Sequence, residues 1–370
     1  MKIFFRISTL SFGGAERVFI SVADYLAKVH QTDVHFVVDS SVAGGTEEVA
    51  IKHGFKVHVL GCSRTLTSIM PLKRFIDLHR PDILISAYTD TNAAALISVK
   101  LAQHKCLTVV SEHASLDEHW QNASFKRRIL LNAYVKYVYR MADHVLGVSK
   151  GIRDQLVARL GSPACVTYIH NPIRFNVPKV PVGTGERPHT APRTILAVGR
   201  IARQKDYACL LAAFKLATER VDCRLVIVGG VHEQGEKDKL DRFVDANNLA
   251  TKIEFVGFTD QVEKYYQAAD VYVMSSAWEG FGNVLVEALA FGLPVISTNC
   301  NHGPDEILCG GQYGHLVPVG DAAALANAIC TVLTGPPPDK TVLQRRAEDF
   351  SEERIGAQYW TLIQKLVASR

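Results

Sequence analysis

The run Val271-Tyr272-Val273-Met274-Ser275-Ser276-Ala277-Trp278-Glu279-Gly280-Phe281-Gly282-Asn283-Val284-Leu285-Val286-Glu287-Ala288-Leu289-Ala290-Phe291-Gly292-Leu293-Pro294-Val295-Ile296-Ser297 reads by pattern as strand, loop, helix and strand. Val271–Met274 is apolar without in-and-out alternation, as in a strand covered on both faces. Asn283–Phe291 has the helical period, Gly292 stands as its C-cap, and Pro294 forbids its continuation into Pro294–Ser297. Two such strands joined through a helix belong to a parallel sheet flanked by helices.

The same alternation extends in both directions. Upstream in this half, Thr194–Val198, Arg224–Val228 and Lys252–Val256 read as strands, and His315–Val317 follows downstream. Asp321 is placed to cap a helix over Ala322–Leu333, which the Gly335-Pro336-Pro337-Pro338 turn stops. In the first half the strands are Lys2–Ser8, Asp33–Asp39, Lys56–Leu60, Asp82–Ala87, Leu107–Ser111, His144–Val148 and Val166–Ile169. Helix-period segments lie between them at Glu16–Val29, Pro71–His79, Thr91–Gln103, Ser124–Met141 and Gly151–Leu160. Residues 171–192 break the rhythm with five prolines and two glycines, the composition of a linker. The expectation is an α/β chain of two Rossmann-like doubly wound domains facing a cleft. Residues 1–172 form the first domain, 173–192 the linker, 193–350 the second, and 351–370 a final helix.

Composition narrows the function classes. The 370 residues are 48% hydrophobic and 21% charged, which excludes a disordered chain, a collagen-like repeat and a coiled coil. The net charge of +4 is too small for a general nucleic-acid binder. It hides a split: residues 1–175 carry 21 basic and 14 acidic side chains, residues 176–370 carry 20 and 23. The apolar N-terminus reads as a buried strand rather than a signal peptide, and no stretch reaches the ~18 apolar residues of a membrane span. The eight cysteines are scattered without a CxxC pair, as in a reduced, cytoplasmic protein. With no HExxH helix and no Asp-x-Asp pair, neither a metal nor another cofactor is expected.

Ligands of such sheets bind at the carboxyl ends of the strands. After the first strand, Gly13 and Gly14 let backbone approach an anion at a helix N-terminus, or simply make a tight turn. Opening the second half, Arg200 and Lys205 follow a strand, where a fork and a flexible ammonium suit a pyrophosphate. In the run quoted first, Gly280 and Gly282 leave amides unobstructed at a helix start. Glu279 precedes that helix and Glu287 lies about a turn inside it. Two carboxylates beside a phosphate-attracting helix end make sense if the ligand also carries hydroxyls. A nucleotide-sugar supplies both.

Together these residues resemble family 4 glycosyltransferases, retaining enzymes of the GT-B fold, over almost the whole chain. The resemblance is carried by Glu279 and Glu287 with seven residues between them, Gly13-Gly14-Ala15-Glu16-Arg17, Ser111-Glu112-His113, Gly199-Arg200 with Lys205, Asn171-Pro172, and Gly303-Pro304-Asp305-Glu306-Ile307-Leu308. It implies that Gly14 gives its amide to the donor diphosphate, beside Gly13, and that Arg200 and Lys205 neutralise the diphosphate as it leaves. It implies that Glu287 holds ribose hydroxyls and Glu279 sugar hydroxyls. The amides of Phe281, Gly282 and Asn283, with Val284 beside them, would line sugar and phosphate. His113 would lie near the reacting sugar, and the loop carrying Phe258 would border the base. The final helix, Glu352–Val367, would cross back to the first domain. The segment 303–308 is most similar to enzymes using UDP-sugars, with GDP-mannose left open.

Similar bacterial enzymes extend lipid-linked saccharides, which gives the partners expected here: a nucleotide-sugar donor, a lipid-linked saccharide acceptor and an anionic membrane face. Asp90 and Glu112 are candidate acceptor contacts at strand ends. Ser124–Arg140 mixes five cations with tyrosines and aliphatics. As a helix it is either a membrane-surface element or a core-packing helix with a solvated basic face. A nucleotide-sugar 2-epimerase of the same fold is the alternative activity, which the two carboxylates with Arg200 and Lys205 fit less well.

Overall fold

Apolar runs without alternation need cover on both faces, and a computed structural model shows how they find it. It describes residues 1–11, 13–42, 46–121, 123–161, 165–174 and 191–370. The chain divides into two compact units, one made of Met1–Arg174 with Phe350–Arg370, the other of Phe175–Asp349.

The first unit holds β1 (Lys2–Arg6), β2 (Asp33–Val38), β3 (Lys56–Val59), β4 (Ile83–Ala87), β5 (Leu107–Glu112), β6 (His144–Gly147) and β7 (Val166–Tyr168). They form one parallel sheet in the order β3-β2-β1-β4-β5-β6-β7. Its helices are α1 (Gly14–His30), α2 (Thr46–Lys52), α3 (Ile69–His79), α4 (Thr89–Leu101), α5 (Leu116–Gln121), α6 (Phe125–Ala133) and α7 (Lys150–Leu160). The second unit holds β8 (Arg193–Val198), β9 (Cys223–Val228), β10 (Ile253–Gly257), β11 (Val271–Met274), β12 (Val295–Thr298) and β13 (His315–Val317), parallel in the order β10-β9-β8-β11-β12-β13. Its helices are α8 (Tyr207–Thr218), α9 (Gln234–Ala246), α10 (Glu263–Ala268), α11 (Asn283–Ala290), α12 (Pro304–Leu308), α13 (Ala322–Thr334) and α14 (Lys340–Glu348), and α15 (Glu352–Ala368) closes the chain.

Both sheets reverse their strand order once, between β1 and β4 and between β8 and β11. A doubly wound sheet opens a ligand crevice at such a reversal. Each unit has one such reversal among the described strands.

Helix α15 packs on α1, placing Ile355, Tyr359 and Ile363 at four-residue spacing in the core that also holds Val18, Phe19, Val22 and Leu26. Each such side chain withdrawn from water is worth ~1.5–3 kcal/mol. The approach is close, because a Cβ on Gly356 would overlap the ring of Tyr25. Where the chain re-enters this unit, Ile173 N–H donates to the Phe350 carbonyl at 2.8 Å, and Arg174 bridges Asp24 at 2.8 Å and Glu352 at 2.9 Å. Most of the expected linker, residues 175–190, lies outside the described residues.

Two helix expectations change. Helix α11 stops at Ala290, one residue early, with Gly292 in the left-handed region at φ 68°. The segment Ser124–Met141 is α6, then a π-turn over Tyr134–Val138, then a 3₁₀ turn over Tyr139–Met141. The π-turn takes an extra residue per turn, and this register leaves Tyr134, Val135 and Tyr139 buried while Lys136 and Tyr137 stay outside.

Candidate active site

In the second unit the reversal lies between β8 and β11, and the loops leaving these two strands carry the candidate residues. A Cβ on Gly229 would overlap the Gly199 carbonyl, so the ends of β9 and β8 touch only because Gly229 has none. Beyond Gly199 the exposed Arg200 leads into a 3₁₀ turn, Arg203–Lys205, and Asp206 caps α8 by accepting from the Cys209 amide at 3.2 Å. Lys205 Nζ lies 2.6 Å from Glu279 Oε1. Glu279 is buried, and the same oxygen accepts from Ser276 Oγ at 2.7 Å while Oε2 accepts from Gln204 Nε2 at 3.2 Å. A buried carboxylate with three donors, one of them cationic, is held in one place.

The loop after Glu279 reaches α11 through Gly282, left-handed at φ 100°, and no side chain caps that helix among the described residues. The backbone of Asn283 and Val284 forms the open first turn. The side chain of Phe281 is buried in the core. Its carbonyl lies where a Cβ on Gly303 would sit, and Gly303 has φ 107°, so the loop before α12 rests on this backbone because residue 303 is glycine. One turn into α11, Glu287 Oε2 accepts from Tyr266 Oη at 2.8 Å. Tyr266, on α10, is fully buried against Phe291 and went unnoticed in the sequence reading. Phe258 stands past the end of β10 with 60% of its surface exposed.

In the first unit, Gly13 precedes α1 in extended backbone and Gly14 opens the helix, exposed. A Cβ on Gly13 would overlap the Glu16 carboxylate, which accepts from Ser11 Oγ at 2.9 Å. That glycine therefore makes room for Glu16 as well as for backbone. His113 follows β5, with Nε2 3.0 Å from Ser111 Oγ. Ser111 donates its own proton to the Ser86 carbonyl at 2.9 Å, so Nε2 carries the imidazole hydrogen and Nδ1 keeps its lone pair. Nδ1 is buried without a partner among the described residues. Burial pushes the His113 pKa down to about 3, so the ring is neutral at ordinary pH.

Beside it, the Glu112 carboxylate accepts from Tyr139 Oη, from Thr89 Oγ1 at 3.0 Å and from Asn92 Nδ2 at 3.4 Å. Burial outweighs those donors and lifts the Glu112 pKa to about 7. Asp90, in the first turn of α4, pairs with Arg127 of α6. Thus the structure brings Lys205 to Glu279, and Tyr266 to Glu287, within the second unit, and sets Gly14, His113, Glu112 and Asp90 at strand ends of the first.

Residues 12–177 match the family described as Glycosyltransferase Family 4, and residues 186–350 match Glycosyl transferases group 1. The N-acetylgalactosamine-N,N'-diacetylbacillosaminyl-diphospho-undecaprenol 4-alpha-N-acetylgalactosaminyltransferase of Campylobacter jejuni is 26% identical over 88% of this chain and 88% of its own length. The lipopolysaccharide 1,6-galactosyltransferase of Escherichia coli is 26% identical over 100% of this chain and 98% of its own. Among solved structures, the apo form of a lipopolysaccharide outer core galactosyltransferase has a TM-score of 0.77 at 21% identity, covering 99% of both chains. Anabaena HepE in complex with UDP and glucose has a TM-score of 0.81 at 20% identity, covering 98% of this chain and 99% of that one. Family matches that run from residue 12 to residue 350, on two parallel sheets each reversed once, make this chain a family 4 glycosyltransferase of the GT-B fold.

Proposed function

We propose that the chain is a retaining, metal-independent transferase that moves a hexose or N-acetylhexosamine from a UDP-sugar to a lipid-linked saccharide, in the assembly of a bacterial surface or glycoprotein glycan. The second unit holds the donor and the first takes the acceptor. The observation that carries this reading is the ion pair of Lys205 with buried Glu279, with Glu287 one turn into α11, a helix that no side chain caps among the described residues. A cation for a diphosphate and two carboxylates for hydroxyls stand together at the reversal of the second sheet.

Glycosyl transfer builds negative charge on the departing diphosphate, and Arg200 and Lys205 stabilise it, the kind of electrostatic effect that often dominates catalysis. They take the part a divalent cation would otherwise play. Glu279 is already engaged by Lys205, Ser276 and Gln204, which favours holding sugar hydroxyls over attacking the sugar as a nucleophile. That supports departure and attack on one face without a covalent intermediate. Neutral His113 offers Nδ1 as an acceptor for a sugar hydroxyl rather than a proton to give. Glu287 and the amides at the start of α11 hold ribose and phosphates, and exposed Phe258 borders the base.

The relatives named for diphospho-undecaprenol and lipopolysaccharide acceptors support the acceptor class. The surface of α6 supports work at the inner face of a membrane. Phe125 is 76% exposed, and Ile129 and Tyr137 are exposed with it, among Lys126, Arg128, Lys136 and Arg140. No helix among the described residues is long and apolar enough to cross a membrane.

The test is transfer from a panel of UDP- and GDP-sugars to a lipid-linked acceptor in EDTA, with the anomeric configuration of the product read by NMR. Retention, and loss of transfer on the order of 100-fold in both Glu287→Ala and Lys205→Ala, is the expected result. Near-normal rates in both variants, or inversion, overturn the reading.

A further inference from the structure

The crevice of the first sheet contains a cavity of about 360 Å³, within the size range of small-ligand pockets. Its wall includes Tyr88, Thr89, Asp90, Glu112, Trp120 and Arg127. Three observations converge on it. First, Asp90 gives one carboxylate oxygen to Arg127, while the other, Oδ1, is buried without a partner among the described residues. The indole Nε1 of Trp120 is in the same condition. Both atoms belong to residues that line the one cavity, and a buried polar atom without a partner costs free energy until one is supplied.

Second, Tyr88 turns the chain from β4 into α4 with φ 73° and ψ 140°. A bulky residue on that side of φ is strained, and such strain gathers at ligand sites.

Third, the charges select the ligand. The start of a thirteen-residue helix beside an arginine would ordinarily attract an anion. Here Asp90 sits in that first turn and already occupies Arg127, and Glu112 adds a second carboxyl. An incoming anion would meet the Asp90 carboxylate, which already takes up the guanidinium, beside a buried Glu112 that adds charge of the same sign as pH rises past about 7. A neutral ligand with hydroxyls meets the part-exposed Arg127 guanidinium as donor, the Asp90 carboxylate as acceptor, and a wall carrying aromatic rings. Those are the partners of an uncharged sugar.

We propose that this cavity is a saccharide subsite that takes an uncharged sugar at the end of the acceptor, read by Asp90 and Arg127, and that it excludes acidic sugars. The proposal rests on the transferase reading given above. Arg127 also ties the cavity to α6: the helix that shows Phe125 and Ile129 to the outside places Arg127 and Leu131 on the cavity wall.

Saturation-transfer NMR on the full chain tests it, using methyl α-galactoside, methyl N-acetyl-α-galactosaminide and methyl α-glucuronide as probes. The neutral glycosides bind and the glucuronide binds at least about fivefold more weakly; Asp90→Asn and Arg127→Gln each weaken neutral binding by about tenfold. Ala123→Trp, which puts a large ring on the cavity wall and leaves both side chains of the ion pair in the sequence, does the same and stands in if either polar variant fails to fold. In transfer assays, Asp90→Asn raises the acceptor KM by about tenfold and shifts the donor KM by less than about threefold. Equal binding of the glucuronide, or neutral binding unchanged in Ala123→Trp and in the polar variants, overturns the proposal. A wild-type chain that binds the neutral glycosides and loses them in the variants, yet transfers no sugar from any donor, refutes the transferase reading and leaves the subsite standing.

Discussion

Tyr266 stands 21 positions from Glu287 in sequence and 2.8 Å from it in space. Its hydroxyl fixes one oxygen of the carboxylate proposed to hold ribose, so Tyr266→Phe frees that side chain. A single net hydrogen bond is worth ~1 kcal/mol, which sets the expected rise in donor KM at about fivefold, with kcat moved less. An unchanged donor KM would remove Tyr266 from the site. Glu279 and Lys205 make a different point. Before donor arrives they hold each other at 2.6 Å, and the proposed donor must part them. Pyrophosphate compensates only the lysine, and a free hexose only the glutamate. Isothermal titration should therefore show UDP-sugar binding more tightly than the two fragments combined would suggest. Glu279, Glu287 and Lys205 stand out in the sequence because charged residues beside glycines at a strand end have few structural reasons to be there. Tyr266 does not, because a tyrosine inside the short polar run Glu263–Ala268 carries neither motif nor period, and in the fold it is core. Trp120 and the reach of Arg127 to Asp90 were equally hidden, since both depend on how α5, α6 and α4 pack.

Among the elements, the short ones escaped the sequence reading. Helix α2 and helix α5 span 7 and 6 residues, too few to show a period, whereas α1 and α13 run over 17 and 13. The strands were legible because burial on both faces demands unbroken apolar runs. The π-turn after α6 was not legible, since it answers to Tyr139 meeting Glu112 rather than to local propensity. At this scale Gly303 decides the height of the loop over Phe281. Gly303→Ala adds a methyl where a carbonyl lies and asks alanine for φ 107°, which together should cost on the order of 2–3 kcal/mol and lower the melting temperature by several degrees. A melt matching wild type would show that the loop can move aside. Helix α6 carries a surface prediction. Retention on anionic vesicles should fall as salt rises, and Phe125→Ser with Ile129→Ser should weaken it while leaving the melting temperature in place, because both side chains are exposed. Equal retention on neutral and anionic vesicles contradicts it.

For the whole molecule, five histidines of the first unit are pushed to low pKa by burial: His35, His58 to about 4, His79, His113 to about 3 and His144 to about 4. Unfolded, each takes its proton near 6.5, so their contribution to stability is whole above that pH and is lost as pH falls from 6.5 toward 4. Glu112 runs the other way, since a carboxyl held near 7 rather than 4.5 weighs on the fold as pH rises between those values. Hydrogen exchange at pH 4.5 and 7.5 should find the acid-induced opening in the first unit, and Glu112→Gln should flatten the alkaline side of its stability curve. Uniform exchange across both units at pH 4.5 would contradict this. The two-unit division itself was visible in the sequence, through a proline-rich break between two runs of the same alternation. The seating of α15 against α1 has a temporal meaning as well. Ile355, Tyr359 and Ile363 finish a core whose strands are made first, and the whole second unit is synthesised between them. On the ribosome the first unit waits, open along α1, for residues that emerge only after the second unit. The unit encoded second can close first, so this chain completes its domains in the reverse of the order in which it begins them.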